Sequence, residues 1–196
     1  MEEVRRLADE DVTVFGEQLQ RLDRELGDTE LDEATRGDYQ DALRAYEVAG
    51  LQVPRLRTPE EISSVSDTLA TGRYALACVR ARVVGDEPPE RRTPCFFDPQ
   101  HGPAARDVVW TMPRRGTRRV PACSRCAVRV EQRESMSPRM VTIDGRRVPY
   151  WEAGEPRRAY SRGWFPAASI DPVARSPWLS DPTPGGDLPE GPIDRR

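Results

Sequence analysis

Pro94-Cys95-Phe96-Phe97-Asp98-Pro99-Gln100-His101-Gly102-Pro103, answered further on by Pro121-Ala122-Cys123-Ser124-Arg125-Cys126, is the stretch on which the fold turns. Three thiols and one imidazole are the ligand set of a closed structural Cys3His zinc site. His101 is the only histidine among 196 residues, so no other imidazole competes for that role. The order of the elements matters as much as the ligand types. Cys95 and His101 fall on a loop bounded by proline and glycine, a hairpin is predicted next, and Cys123 and Cys126 open a short helix predicted over 123–134. Loop ligands, hairpin, then a cysteine pair in the first helical turn is a treble-clef-like layout. Two thiolates three residues apart at a helix N-terminus face one ion, and the helix dipole favours their charge. The spacing leaves other readings open: reduced thiols packed in a core, a disulfide or redox-active pair, and His101 as a structural histidine in a Gly-Pro turn. The first half is an irregular C-x5-H knuckle, whereas a C-x2-C pair on both sides would be a stronger signature.

Upstream of the module the texture is helical. Val12, Phe15, Leu19, Leu22 and Leu26 are spaced 3 and 4 apart, a coiled-coil-like seam that predicts a helix over 9–26, with Gly27 as its stop. Leu31, Thr35, Tyr39, Ala42, Tyr46, Ala49 and Val53 predict a second helix over 30–53, capped by Thr29 and ended by Pro54. Thr58-Pro59-Glu60-Glu61 reads as a capping box, with Ile62, Val65, Leu69, Gly72, Leu76, Val79 and Val83 as the stripe of a third helix and Gly85 as its stop. Narrow apolar stripes joined by short links imply antiparallel packing, as a bundle or long hairpin. Cys78 lies beside the third stripe and reads as a small buried hydrophobe rather than a ligand.

Downstream, Asp107–Met112 and Thr117–Pro121 flank Pro113-Arg114-Arg115-Gly116 and read as a hairpin. Met140–Ile143 and Arg146–Trp151 flank Asp144-Gly145, the two-residue turn signal of a second hairpin. The aromatics Phe96, Phe97, Trp110, Tyr150, Trp151, Tyr160, Trp164 and Phe165 fit a small aromatic core. With Arg114, Arg115, Arg118, Arg119, Arg146 and Arg147 they would alternatively form a stacking and phosphate-contacting surface. Residues 171–196 hold six prolines and three glycines without apolar periodicity and read as a disordered tail.

Composition bounds these readings. All 30 basic residues are arginine, and neither lysine nor asparagine occurs. Fold does not select against two surface residues completely, but a GC-rich coding sequence does, so the arginine count partly reports codon usage. Charge is uneven: residues 1–70 carry 18 acids and 8 arginines, and residues 71–170 carry 10 acids and 19 arginines. No apolar run is long enough to span a membrane, and the N-terminus lacks an apolar signal region. A cytoplasmic location is therefore expected, with reduced thiols available for metal. Walker, G-x-S-x-G, H-E-x-x-H and Rossmann patterns are all missing. One histidine restricts acid–base schemes, and no third residue orients a Cys95–His101 nucleophile pair, so an enzyme is not expected.

Tyr74-Ala75-Leu76-Ala77-Cys78, the segment Pro94–Pro103, Trp110, Val120-Pro121-Ala122-Cys123 and Val148-Pro149-Tyr150-Trp151 resemble a group of uncharacterised actinobacterial proteins. These carry a helical segment followed by a Cys-Phe-Phe-x-Pro-x-His-Gly-Pro module. The resemblance covers roughly residues 9–165, agrees with the GC-rich inference and implies no activity. Relatives often continue into a Gly-rich apolar C-terminus, whereas this chain runs after Trp164-Phe165 into a polar Pro-rich segment.

The expected architecture is α+β: an acidic helical bundle over 1–85, a linker over 86–94, a β-hairpin-rich Cys/His module over 95–170 and a tail over 171–196. The expected function is a non-enzymatic scaffold or interaction protein with a structural zinc ion on Cys95, His101, Cys123 and Cys126. Its partner would be another protein or a second copy, met through the helical region. An Arg-rich module binding nucleic acid or an anionic surface is the alternative, and nucleic acid is the less expected partner.

Overall fold

The computed structural model describes residues 2–58, 61–112, 116–143 and 145–152. Helix α1 spans Glu2–Leu26, α2 spans Glu33–Gln52 and α3 spans Ile62–Val83. They are followed by strands β1 (Arg106–Met112) and β2 (Gly116–Ala122), helix α4 (Ser124–Glu131), and strands β3 (Met140–Ile143) and β4 (Arg146–Pro149). The chain is thus α+β, with helices first and two small antiparallel hairpins after them.

Helix α1 starts earlier than its 3–4 spacing suggests, because Leu7 and Ala8 continue the buried stripe of Val12, Phe15, Leu19, Leu22 and Leu26 by one further turn. It stops, as expected, before Gly27. The cap of α2 is Asp32 rather than Thr29: its carboxylate accepts from the Thr35 backbone N–H at 2.7 Å, and the helix begins at Glu33. Pro54 ends α2 as expected, and the chain continues through a 3-10 turn over Val53–Arg55. One half of the capping box ahead of α3 is in place, since the Glu61 carboxylate reaches back to the Thr58 N–H at 3.3 Å and the Arg57 N–H at 2.6 Å. Pro59 and Glu60 lie outside the described residues. At the far end of α3, Gly85 adopts φ +82, its N–H bonds Arg82 O, and the Asp86 N–H reaches back to Ala81 O at 2.9 Å. This is a Schellman stop, and the left-handed residue it needs is the glycine.

The seam between the helices is built from small residues. Helix α2 buries Thr35, Ala42, Ala45 and Ala49 and lies on α3. A Cβ on Gly72 would stand 2.6 Å from Phe15 Cζ and 2.7 Å from Ala45 Cβ, so the three helices meet where α3 has no side chain. Phe15 fills that junction with no exposed surface, and such full burial of a large apolar side chain is worth roughly 1.5–3 kcal/mol. The expected stripe residues Val12, Leu19, Leu22, Ile62, Val65, Leu69, Leu76 and Val79 are all buried. Tyr46 and Val83 are not: both are more than a third exposed, because Ala45 takes the inward position of α2 and Val83 sits on the last turn of α3.

In the module β1 and β2 pair with Val108 opposite Val120 and Trp110 opposite Arg118. Val108, Trp110 and Val120 face inward, while Val109 on the other face is half-exposed. Strands β3 and β4 pair with Val141 opposite Val148. Helix α4 ends at Glu131, short of the predicted 134, and Arg133 takes φ +56 just beyond it. Tyr150 and Trp151, expected to prolong β4, instead form a 3-10 turn, which lets both rings fold back over Phe96. The turn residues 113–115 and 144, the aromatics Tyr160, Trp164 and Phe165, and the expected tail over 171–196 lie outside the described residues. Two-stranded hairpins are marginal by themselves. Here an aromatic cluster holds them: Phe96 stacks on Trp151 at 4.9 Å, Phe97 meets Trp110 edge-on at 5.1 Å, and the buried Tyr150 hydroxyl donates to Phe96 O at 2.8 Å. The stretch predicted as a linker runs along α3, with Tyr74 donating to Pro89 O at 3.1 Å. No helix among the described residues is long and apolar enough to cross a membrane.

Candidate metal centre

The ligand loop is closed on itself before it meets anything else. Pro94 and Pro103 bridge in antiparallel fashion, and the Cys95 N–H bonds Gly102 O at 3.0 Å. Inside the loop, Pro99–His101 form a 3-10 turn capped by the Asp98 carboxylate, which accepts from the Gln100 N–H at 2.9 Å. Proline at its start suits the fixed φ of such a turn. The loop is fastened to the end of β2 by Phe96 N–H to Pro121 O at 2.8 Å. Just beyond, Cys123 is the N-cap residue of α4 and Cys126 lies in its first turn. Tight closure of one loop and docking of that loop on the strand that leads into α4 are what bring residues 95 and 126 together.

The four ligand atoms of Cys95, His101, Cys123 and Cys126 all lie within 4.8 Å of one another, close enough to hold a metal ion. They are the residues whose pattern singled them out in the sequence. His101 Nδ1 is 3.4 Å from Cys126 Sγ and 3.8 Å from Cys123 Sγ. A tetrahedral ion with zinc–sulfur and zinc–nitrogen bonds of its usual lengths separates S and N by about 3.6 Å. The two distances bracket that edge. Cys95 and Cys126 are buried and Cys123 is partly exposed, so the cluster faces solvent on one side only. Cys78 is buried on α3, and burial pushes its thiol up. It belongs to no metal-ligating group among the described residues, in line with its reading as a small hydrophobe.

The electrostatics of the cluster favour a cation at its centre. Three thiols this close cannot all ionise without a cation among them. Hydrogen bonds from Cys126 and then Cys95 hold the Cys123 thiol far below the ordinary range, whereas Cys126, beside that charge, is driven far above it. Burial opposes a charge on His101, but its bonds to the Cys123 and Cys95 sulfurs, with Asp98 nearby, outweigh that and push it up to about 10. A divalent ion at the centre would supply the positive charge, take the ring nitrogen as a neutral ligand and allow all three thiolates to form.

Asp98 and Gln100 were not singled out by the sequence pattern. Asp98 Oδ2 stands 3.8 Å from His101 Nε2, on the side of the ring away from the sulfurs. The carboxylate behind a ligating imidazole is a recurrent outer-shell arrangement that fixes ring orientation and tautomer. Its signal was available: an acid three residues before the histidine, in a proline-bounded turn. Gln100 points the other way, to α1. Its carbonyl accepts from Gln18 Nε2 at 2.7 Å, and its amide donates to the Asp11 carboxylate. Asp11 is only 2 % exposed and also meets Arg139 at 3.2 Å. Asp11 and Gln18 sit on the apolar side of α1, and polar residues at such positions were the readable sign of a buried contact.

Among the described residues, the rings of Phe96, Phe97, Trp110, Tyr150 and Trp151 pack on one another rather than forming an open stacking platform. No family model, curated protein or solved structure matches the chain.

Proposed function

We propose that the protein is a non-enzymatic scaffold whose Cys/His module is set by one structural zinc ion on Cys95, His101, Cys123 and Cys126, and whose helices present a surface to a protein partner or a second copy. The carrying observation is the convergence of three sulfurs and one imidazole nitrogen within 4.8 Å of one another, with the imidazole nitrogen 3.4 and 3.8 Å from two of the sulfurs. Four protein ligands complete the coordination zinc adopts at structural sites, and a catalytic site keeps one position open. A soft donor set of three thiolates favours zinc over hard cations. Binding energy of this kind becomes folding energy for a module of two short hairpins. For the partner surface, α2 turns its alanines inward and leaves Leu43, Tyr46, Val48 and Leu51 exposed. A cytoplasmic location fits free thiols of this kind.

Native mass spectrometry of the full chain, together with metal analysis, tests both halves. One zinc per chain, lost in Cys123→Ser, is the expected result. A chain that purifies and refolds without stoichiometric metal would remove the zinc reading, and a strict monomer that captures no second copy leaves only a different protein as partner.

A second reading rests on Arg119, Arg146 and Arg147, which are exposed and have no carboxylate partner among the described residues. They would serve binding to a polyanion. Such binding should weaken with salt at a log–log slope of about −0.9 per phosphate contacted on B-DNA. Absence of any retention on DNA or RNA at low salt would dismiss it.

A further inference from the structure

The turn that carries His101 is also the part of the module seated on the helices. Pro99 is buried, and the Pro99–His101 turn touches both α1 and α3. Next to the ligand, Gln100 uses its carbonyl for Gln18 and its side-chain amide for Asp11. The backbone of Gly102 passes over α3, where a Cβ would come within 3.9 Å of Arg73 Cβ and its carbonyl. Arg73 is buried and ties the same groups together, donating to Asp11 O at 3.1 Å and to Gln18 Oε1 at 3.3 Å. Arg139, whose backbone N–H bonds Phe97 O at 2.7 Å, adds its guanidinium to Glu10 and Asp11 at 3.0 and 3.2 Å.

A buried carboxylate is tolerated only while its charge and hydrogen bonds are met. Asp11 meets this condition through the ligand turn and through Arg139. The turn in turn is held in shape at its two ends, by the Cys95–Gly102 backbone bond and by His101 within the sulfur cluster.

We infer that occupancy of the metal centre governs the docking of α1 on the module, with Gln100 as the positioning residue that transmits it. The inference rests on the zinc reading above. With the ion present, His101 is fixed and Gln100 is presented to Asp11 and Gln18. With the ion removed, the turn loses its anchor, Gln100 withdraws, and the polar groups of α1 seek water. None of the groups just named lies on α2, so the effect is confined to one seam rather than spread over the helices.

The test is hydrogen exchange on the full chain, loaded with zinc and then stripped with a chelator, read peptide by peptide. Removal of metal is expected to raise exchange around Asp11–Gln18 by about tenfold or more, as the loss of two buried hydrogen bonds implies. Amides of α2 between Ala42 and Ala49 should change little. A second arm uses Gln100→Ala loaded with cobalt(II). Its absorption spectrum and stoichiometry should match the wild type, because Gln100 is no ligand, while its α1 should exchange faster than in the loaded wild type but less fast than in the stripped protein, since the backbone carbonyl at position 100 still accepts from Gln18. Equal protection of α1 with and without metal would overturn the inference and leave the zinc reading standing. So would a rise of α1 and α2 together, which means global unfolding, or a Gln100→Ala chain whose α1 stays protected. Failure to take up one metal per chain would remove the zinc reading and this inference with it.

Discussion

Asp98 and His101 face each other across a turn of three residues, carboxylate Oδ2 3.8 Å from imidazole Nε2, with the sulfurs on the opposite side of the ring. The spacing is longer than a hydrogen bond but sets a carboxylate charge beside the ring nitrogen that does not face the sulfurs. Asp98→Asn keeps a cap for the Gln100 N–H but removes the charge. It is expected to weaken metal binding by about 10–100-fold, in the manner of other outer-shell carboxylates. Competition with a chromophoric chelator measures this directly, and unchanged affinity in the variant would deny Asp98 that role.

Glycines separate into two groups by what surrounds them. Gly37 and Gly50 lie within α2 with nothing inside 4 Å of an added Cβ. Alanine there should raise stability by roughly 0.5–1 kcal/mol each. Gly72→Ala places a methyl against Phe15 and Ala45 and should cost about 1–3 kcal/mol. Urea midpoints with unchanged slopes would establish both signs. A neutral Gly72→Ala would mean that the three-helix junction is looser than the distances state.

Tyr150 donates its only hydroxyl proton to Phe96 O in a buried setting, and burial raises its pKa well above the ordinary phenol value. Tyr150→Phe keeps the ring and removes this hydrogen bond. A loss of about 1–3 kcal/mol is expected. Because Phe96 follows Cys95, the same variant should also bind metal more weakly, which calorimetric titration would read. Full stability in the variant would show that water replaces the hydroxyl.

How much of this was legible follows from which forces act locally. Helix stripes are local, so Phe15, Ile62 and Leu69 could be placed inward from spacing alone, and all three are buried. The metal-ligating set was legible because four residues of two rare types, cysteine and histidine, stood out from an Arg- and acid-rich background. Caps were less so: Thr29 and Asp32 are both good caps by type, and only the backbone path, extended at Asp32 with φ −65 and ψ 170, decides between them. Tyr150 and Trp151 look like strand residues, yet stacking on Phe96, distant in sequence, bends them out of β4. The Asp11–Gln100 bond joins residues 89 apart and has no local signature beyond a polar residue on an apolar face.

Asp32 gives a pH handle on the helices. Hydrogen bonds from Thr35, through its side chain and then its backbone, hold the Asp32 carboxyl below its usual value. A depressed carboxylate stabilises the fold above its unfolded pKa, and the contribution disappears as pH falls through the folded pKa. Wild type should therefore exceed Asp32→Ala in stability at neutral pH, with the gap closing once pH drops below about 4. Helix content followed by circular dichroism across that range checks the sign. A gap that persists in acid would assign the effect to helix propensity rather than to the ionised cap.

Cys78 separates ligand from bystander. Cys78→Ala should keep one metal per chain, because Cys78 lies outside the four-residue cluster, while Cys126→Ala should lose it. Metal loss on changing Cys78 would contradict the assignment of the ligands.

The bond from Arg139 to Glu10 closes a span of 129 residues, the longest of any side-chain hydrogen bond described above. Contacts that distant form late in folding, since loop closure comes before any reward. Helices α2 and α3 are neighbours in sequence and can pair early, whereas the bonds of the first helix to Gln100 and Arg139 must wait for the module. Refolding should therefore proceed from the middle of the chain outward, with the N-terminal segment arriving last. Pulse-labelled exchange during refolding would reveal that order as protection of α2 and α3 ahead of α1.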